Sequence, residues 1–196
     1  MPHATPHGDE NMTENTTPTA PAKPRARKPR TPSPLTIVAD TREQRPLTDW
    51  PDFVAVKRDT LRTGDYSIDG WTECFCVERK SLADFAGTMI GGYEPSAEKP
   101  RKRFNRELDR MRHFDRAAIL VEATPAEARA YRHNCGMDAH QALWHFALSI
   151  EANYGVPVHF VPRDLCAAWI ADYARHFVNA RTRKNFTRED REEART

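Results

Sequence analysis

The chain lacks any apolar run approaching the roughly 18 residues that a membrane-spanning helix requires. Its N-terminus lacks the apolar segment of a secretory signal, so secretion is not expected. Cysteine is sparse. Cys74, Cys76, Cys135 and Cys166 match no zinc-binding spacing and read as reduced thiols rather than a disulfide frame. No internal repeat is visible. Even net charge is nearly absent, at +2, which by itself selects no class of partner.

What is present falls into three parts. Residues 1–34 hold eight of the fifteen prolines and almost no large apolar side chain. Such a segment cannot offset its ordering entropy by burial, and it reads as a disordered, basic arm. LTIVAD then forms an apolar run ending at Asp40, the pattern of a buried strand. FVAVKRDTL (53–61), GDYSI (64–68, after the turn signal Thr63-Gly64) and ECFCVERK (73–80) read as further strands, consecutive and antiparallel. Helices are expected over Ser81 to about Ile90, Arg101–Phe114, Asp138–Tyr154 and Arg163–Ala180, with strands at 116–123 and 156–161 between them. Ser81 and Asp84 have the spacing of a capping box at the first helix. GGYEPSAEKP (91–100) reads as a loop. The result is an α/β domain over 35–180, a sheet of about six strands covered by helices, with a charged tail over 181–196.

Charge is distributed unevenly along this layout. KPRARKPR (23–30) carries five positive charges and no negative one, and EKPRKRFNRELDRMR (98–112) carries seven basic residues against three acidic. Such blocks suit a polyanionic partner, although a solubilising arm and a solvated helix face fit the same composition.

The chemistry concentrates at the seam between CVERK and SLADF. Alternate side chains share a strand face, so Glu78 and Lys80 point one way while Val77 and Arg79 point the other. An acid and an ammonium so placed at a strand end are the pair that metal-assisted phosphodiester cleavage needs. The carboxylate holds a hard divalent cation. The lysine orients the attacking water and offsets charge developing on the phosphate. Surface ion pairs on exposed strands show the same spacing. One carboxylate holds Mg²⁺ poorly, and two further acids are at hand: Asp65 on the neighbouring strand and Asp40 at the end of the first.

In their order along the chain, VADTRE, GDY and VERKSLAD resemble the XPF-type structure-specific endonuclease family, whose hallmark is GD, a spacer, then ERKxxxD. Gly64, Asp65, Glu78, Arg79, Lys80 and Asp84 meet each hallmark position. The resemblance runs from about Leu35 to Ala180 and implies the PD-(D/E)xK, restriction-endonuclease-like fold, a central mixed sheet flanked by helices. It implies catalytic roles for Asp65, Glu78, Arg79 and Lys80. Asp65 and Glu78 would ligate the metal with help from the Arg79 carbonyl, and Asp40 would lie near it. Arg42 and Glu43 match the first motif as supporting residues. Arg79, facing away from Glu78, would brace the site against Asp84 or touch a phosphate; Asp84 would cap its helix or support the site from behind. The implied cofactor is Mg²⁺, with Mn²⁺ as a substitute. Arg101, Lys102, Arg103 and Arg106 correspond to family arginines near the cleavage point and are the expected DNA contacts.

The resemblance therefore implies a metal-dependent DNA endonuclease acting on flaps, forks or junctions in repair or recombination, in the cytoplasm, on the nucleoid or, in a eukaryote, in the nucleus. The helix-hairpin-helix and helicase modules of many relatives are not seen, which suggests a nuclease-only member. Junction preference would then come from a homodimer or a protein partner. The alternative is a catalytically silent DNA-binding or scaffolding subunit, though such members usually lose the motif acids or lysine that this sequence keeps. Processing of viral or mobile-element DNA would suit the small size.

Overall fold

The computed structural model describes residues 34–90, 98–132 and 140–193. The proline-rich arm, apart from its last residue, lies outside them, as does Cys135. Six strands and five helices follow in the order β1 (Leu35–Asp40), β2 (Val54–Asp59), β3 (Tyr66–Ile68), β4 (Phe75–Ser81), α1 (Leu82–Ile90), α2 (Glu98–Met111), β5 (Arg116–Glu122), α3 (Pro125–Ala130), α4 (His140–Tyr154), β6 (Val158–Val161) and α5 (Arg163–Glu193).

The strands form one mixed sheet in the order β2-β1-β3-β4-β5-β6. β3 runs antiparallel to both β1 and β4, whereas the β4–β5 and β5–β6 pairs are parallel. The expected antiparallel run of the first four strands needs one correction, because β2 pairs with β1 in parallel, Leu35 opposite Val54 through Asp40 opposite Asp59. The reason lies in residues 41–53. They contain no two-residue hairpin signal, and they are long enough to carry the chain back to the starting end of β1, as a parallel pair requires. β2 is thereby an edge strand. Its exposed Lys57, Arg58 and Asp59 deter pairing with another chain.

Both faces of the sheet are covered. One core joins Cys76, Ile119 and Val121 to Phe85 of α1, Phe104 and Leu108 of α2, and Leu143 and Ile150 of α4. The other joins Ile37, Tyr66, Phe75, Val77 and Leu120 to Cys166, Ile170, Ala174 and Phe177 of α5. Each large apolar side chain buried in this way contributes about 1.5–3 kcal/mol. On β4 the alternation is plain: Phe75 and Val77 enter the α5 core, and Cys76 enters the opposite one. Continued by two residues, the same alternation sends Glu78 and Lys80 towards α1 and α2, and Arg79 towards α5.

Other departures have local causes. α2 begins at Glu98, with Pro100 in its first turn, where proline's missing N–H costs no helical hydrogen bond. α3 was not expected, although Thr124 and Glu127 form a full capping box with Pro125 at the first helical position. α5 continues through the segment read as a tail as far as Glu193. Among the described residues no helix is long and apolar enough to cross a membrane.

One glycine sets the approach of β3 to β4. Gly64 has φ +79°, and a Cβ there would stand 3.1 Å from the Val77 carbonyl oxygen and 3.2 Å from Cys76 Cβ. Gly64→Ala should destabilise the protein by about 1–3 kcal/mol, through both the left-handed backbone and the contact. Urea denaturation of the two proteins measures this directly, and equal midpoints would mean that neither constraint is felt.

Candidate active site

The chain enters β3 through a joint between two strands. The Asp65 N–H donates to the Val77 carbonyl (2.9 Å), and the Asp65 carbonyl accepts from the Asp40 N–H (2.8 Å). The Asp65 carboxylate then accepts the backbone N–H of Arg79 at 2.8 Å through Oδ2. Three motif residues from three strands are thus fixed by main-chain donors alone.

On the α1–α2 face, Lys80 Nζ donates to Glu78 Oε1 at 3.1 Å and lies 5.0 Å from the centre of the Phe104 ring. Glu78 is 7% exposed. Burial raises its affinity for a proton, Lys80 counters that, and Glu107 of α2, within hydrogen-bonding reach, adds to it. The Asp65 carboxyl is pushed up to about 7, first by burial and then by the charge of Glu78. For Lys80, burial disfavours the ammonium, but Glu78 and Glu107 outweigh it and hold its proton more tightly than usual. The sequence reading brought Asp65, Glu78 and Lys80 together; it missed Glu107. The signal was there, since Glu107 follows Phe104 by three residues and so shares its helical face.

Arg79 occupies the other face. Its side chain is 7% exposed and donates to Glu43 (2.8 Å through Nη2) and to Glu122 of β5, which also receives Arg163 of α5. Nη2 reaches the Arg45 carbonyl as well, at 3.1 Å. Burial works against its charge, but Glu43 and Glu122 more than restore it. The suggested Arg79–Asp84 brace is therefore corrected. Asp84 instead accepts the Ser81 hydroxyl at 2.7 Å while its own N–H donates to Ser81 Oγ at 3.1 Å, a helix-start role. Glu43 is the partner that the first motif supplies.

Asp40, the acid expected near the metal, has both carboxylate oxygens engaged by donors. Its Oδ1 accepts the Arg42 backbone N–H (2.7 Å) and Nε (2.8 Å), and its Oδ2 accepts Arg42 Nη2 and the Leu61 N–H (both 2.8 Å). Four donors occupy the carboxylate, and the Arg42 side chain, ahead of the opposing effect of burial, takes it down to about 2. Asp40 fastens the β1 exit to Leu61 and so positions Asp65 behind it. Arg101 departs from expectation. It is half-buried, donates to the Met89 carbonyl at 3.1 Å and lies 4.8 Å from the Phe146 ring, so it ties α2 to α1 and α4 rather than facing outward. Lys102, Arg103 and Arg106 are exposed.

Two predictions come from the two faces. Arg79→Met should destabilise the protein by about 3–5 kcal/mol, because Glu43 would remain buried without its cation and Glu122 would keep only the more exposed Arg163; thermal melts of the variant against wild type measure the loss, and equal midpoints would mean that the clamp adds no stability. Asp65 titrates at 3.8 in the unfolded chain and near 7 in the folded one. Between those values the folded state holds a proton that the unfolded state has lost. Its contribution is complete below the lower value and disappears as pH rises through the upper one. In EDTA, stability should fall between pH 5 and pH 8 by an amount on the order of a few kcal/mol, and the fall should be smaller in Asp65→Asn. Denaturant titrations at each pH read it.

The family model for the ERCC4 domain matches residues 39–173, a span that contains every residue of this site. Among solved structures, the chain is similar to XPF from Aeropyrum pernix, at 24% identity over 71% of this chain and 60% of that one, with a TM-score of 0.52. It is also similar to XPF from Aeropyrum pernix in complex with DNA, at 22% identity over 74% of this chain and 66% of that one, with a TM-score of 0.54. These likenesses are of fold, and the chain covers less than two thirds of either XPF chain. No curated protein matches it in sequence.

Proposed function

The chain belongs to the ERCC4-domain family, and from that premise we propose that it is a metal-dependent DNA endonuclease acting on branched DNA in repair or recombination. The observation that carries this reading is the placing of Asp65, held by the Arg79 amide, where it feels the charge of Glu78, which is itself hydrogen-bonded to Lys80 beside α2. DNA as partner is supported by the fold shared with an XPF that was solved in complex with DNA, and by the exposed basic residues of α2. Preference for flaps, forks or junctions rests on the resemblance of the motifs.

The donor set fits a hard divalent ion, Mg²⁺ or Mn²⁺. Both acids offer oxygen, and among the described residues each accepts a hydrogen bond through one carboxylate oxygen only, Asp65 through Oδ2 and Glu78 through Oε1. Two acids would leave most of the coordination shell of such an ion to water. When bound, the ion supplies a Lewis acid and a water of lowered pKa. Asp65 and Glu78 hold it, and the Arg79 amide keeps Asp65 aimed. Lys80 supplies positive charge beside the acids, where it orients water and offsets the charge gathering on the phosphate. Arg79, Glu43 and Glu122 fix the strand from behind. Arg103 and Arg106 provide phosphate contacts, which add affinity and salt dependence without reading sequence. A second copy or a protein partner would supply junction preference.

The test is cleavage of end-labelled linear, flap, fork and four-way DNA in Mg²⁺, Mn²⁺ or EDTA. Cutting should require metal, fall at least about a hundredfold in Glu78→Ala and in Lys80→Met, and favour the branched substrates. DNA binding should survive Glu78→Ala but weaken in the Arg103→Ala, Arg106→Ala pair, with a flatter salt dependence. A folded wild type that cuts none of these substrates would move the weight to a scaffolding subunit.

A further inference from the structure

Helix α2 addresses the site on three successive turns. Phe104 lies under the Lys80 ammonium, at 5.0 Å from ring centre to Nζ. Glu107, three residues on, reaches the Glu78 carboxylate and acts on the Lys80 charge. Arg110, three further, donates through Nε to the hydroxyl of Thr63 at 3.2 Å, two residues before Asp65. Residues 104, 107 and 110 step round the helix by about 60° each, so Glu107 lies at the boundary between buried Phe104 and exposed Arg110, with the helix held near the site on either side of it.

Phe104 is buried and Arg110 is anchored, so the backbone of Glu107 is held next to the site, and its half-buried side chain lies towards Glu78. It is kept beside Glu78, a contact between two acids that favours neither unless positive charge lies between them or next to them. Lys80 is the one cationic side chain hydrogen-bonded to Glu78 among the described residues. The hydrated ion proposed above would meet Glu107 at its water shell rather than directly, because no third acid stands at ligand spacing. Carboxylates one water away from an ion orient its waters and strengthen its binding.

We propose that Glu107 is a positioning residue of the cation site, a third carboxylate delivered by α2 that accepts hydrogen bonds from water on the ion held by Asp65 and Glu78. The inference rests on the metal-dependent reading of those two acids. It assigns α2 two tasks, with half-buried Glu107 beside the ion and the exposed Arg103 and Arg106 next to it on the outer side of the helix.

Mn²⁺ binding, measured by isothermal titration calorimetry without DNA, separates this inference from its premise. Wild type, Glu78→Gln and Glu107→Gln are compared, with thermal melts in EDTA as the folding control. Glu107→Gln should melt no lower than wild type, because the amide keeps the shape and removes a like charge, yet bind Mn²⁺ about 10–100-fold more weakly. Glu107→Asp, which retains the charge, should recover part of that affinity. Wild-type affinity in Glu107→Gln, with loss in Glu78→Gln, would overturn the role of Glu107 and leave the metal reading standing. Absence of Mn²⁺ binding in the wild type would overturn both.

Discussion

The site depends on one peptide unit, the backbone N–H of Arg79. It reaches Asp65 across the sheet at 2.8 Å, so the position of the first acid is set by the position of β4. The second acid and the lysine flank that residue on the same strand. Any sliding or twisting of β4 at this point would move all three groups. The Arg79 side chain prevents it, gripped on the far face by Glu43 from the β1 exit and Glu122 from β5. One residue thus serves both faces: its main chain aims the site and its side chain immobilises the strand. The site is then fixed by buried ionic contacts with directional geometry, more so than by apolar packing, which tolerates small shifts.

The first motif makes sense in the same terms. Asp40, Arg42 and Glu43 lie in one short stretch, but they act in different directions. Asp40 and Arg42 close a bidentate pair that also captures the Leu61 N–H, and Arg58 of the edge strand caps the Asp40, Thr41 and Glu43 carbonyls. This turn presents Glu43 to Arg79. In space, Asp40 and Arg42 shape the turn from which Glu43 reaches the strand that carries Glu78 and Lys80.

How much of this was legible depended on the period of each pattern. The buried strands and the apolar helix stripes announce themselves locally, and the alternation along CVERK correctly separated Glu78 and Lys80 from Arg79. Pairing direction was not legible for β2, because parallel and antiparallel neighbours share the same alternation and differ only in the path of residues 41–53. Ion-pair partners were beyond reach for the same reason. Nothing local links Arg79 to Glu122, 43 residues away. Likewise, an arginine in a basic run does not reveal which members face inward, and Arg101 turned to Phe146 while Arg103 and Arg106 stayed outside. Asp84 was legible because its partner, Ser81, lies within one turn.

The two faces of β4 differ in charge, and the difference bears on function. On the α5 face, Glu43 and Glu122 meet Arg79 and Arg163, two acids and two guanidinium groups in contact. That set pairs its charges one for one. On the α2 face, Lys80 is the cation hydrogen-bonded to Glu78 among the described residues, Arg42 acts on Asp65 and Glu107 through its charge, and burial there favours the protonated form of Asp65 and Glu78. A fold selected for stability alone would do better with apolar residues at these positions, since buried groups short of counter-charge weaken the native state. The shortage is confined to the face where the motif acids and the lysine converge. The divalent cation proposed above would favour the ionised form of these acids. The strand thus carries an ionic clamp on one side and, on the other, acids whose burial favours their protonated forms.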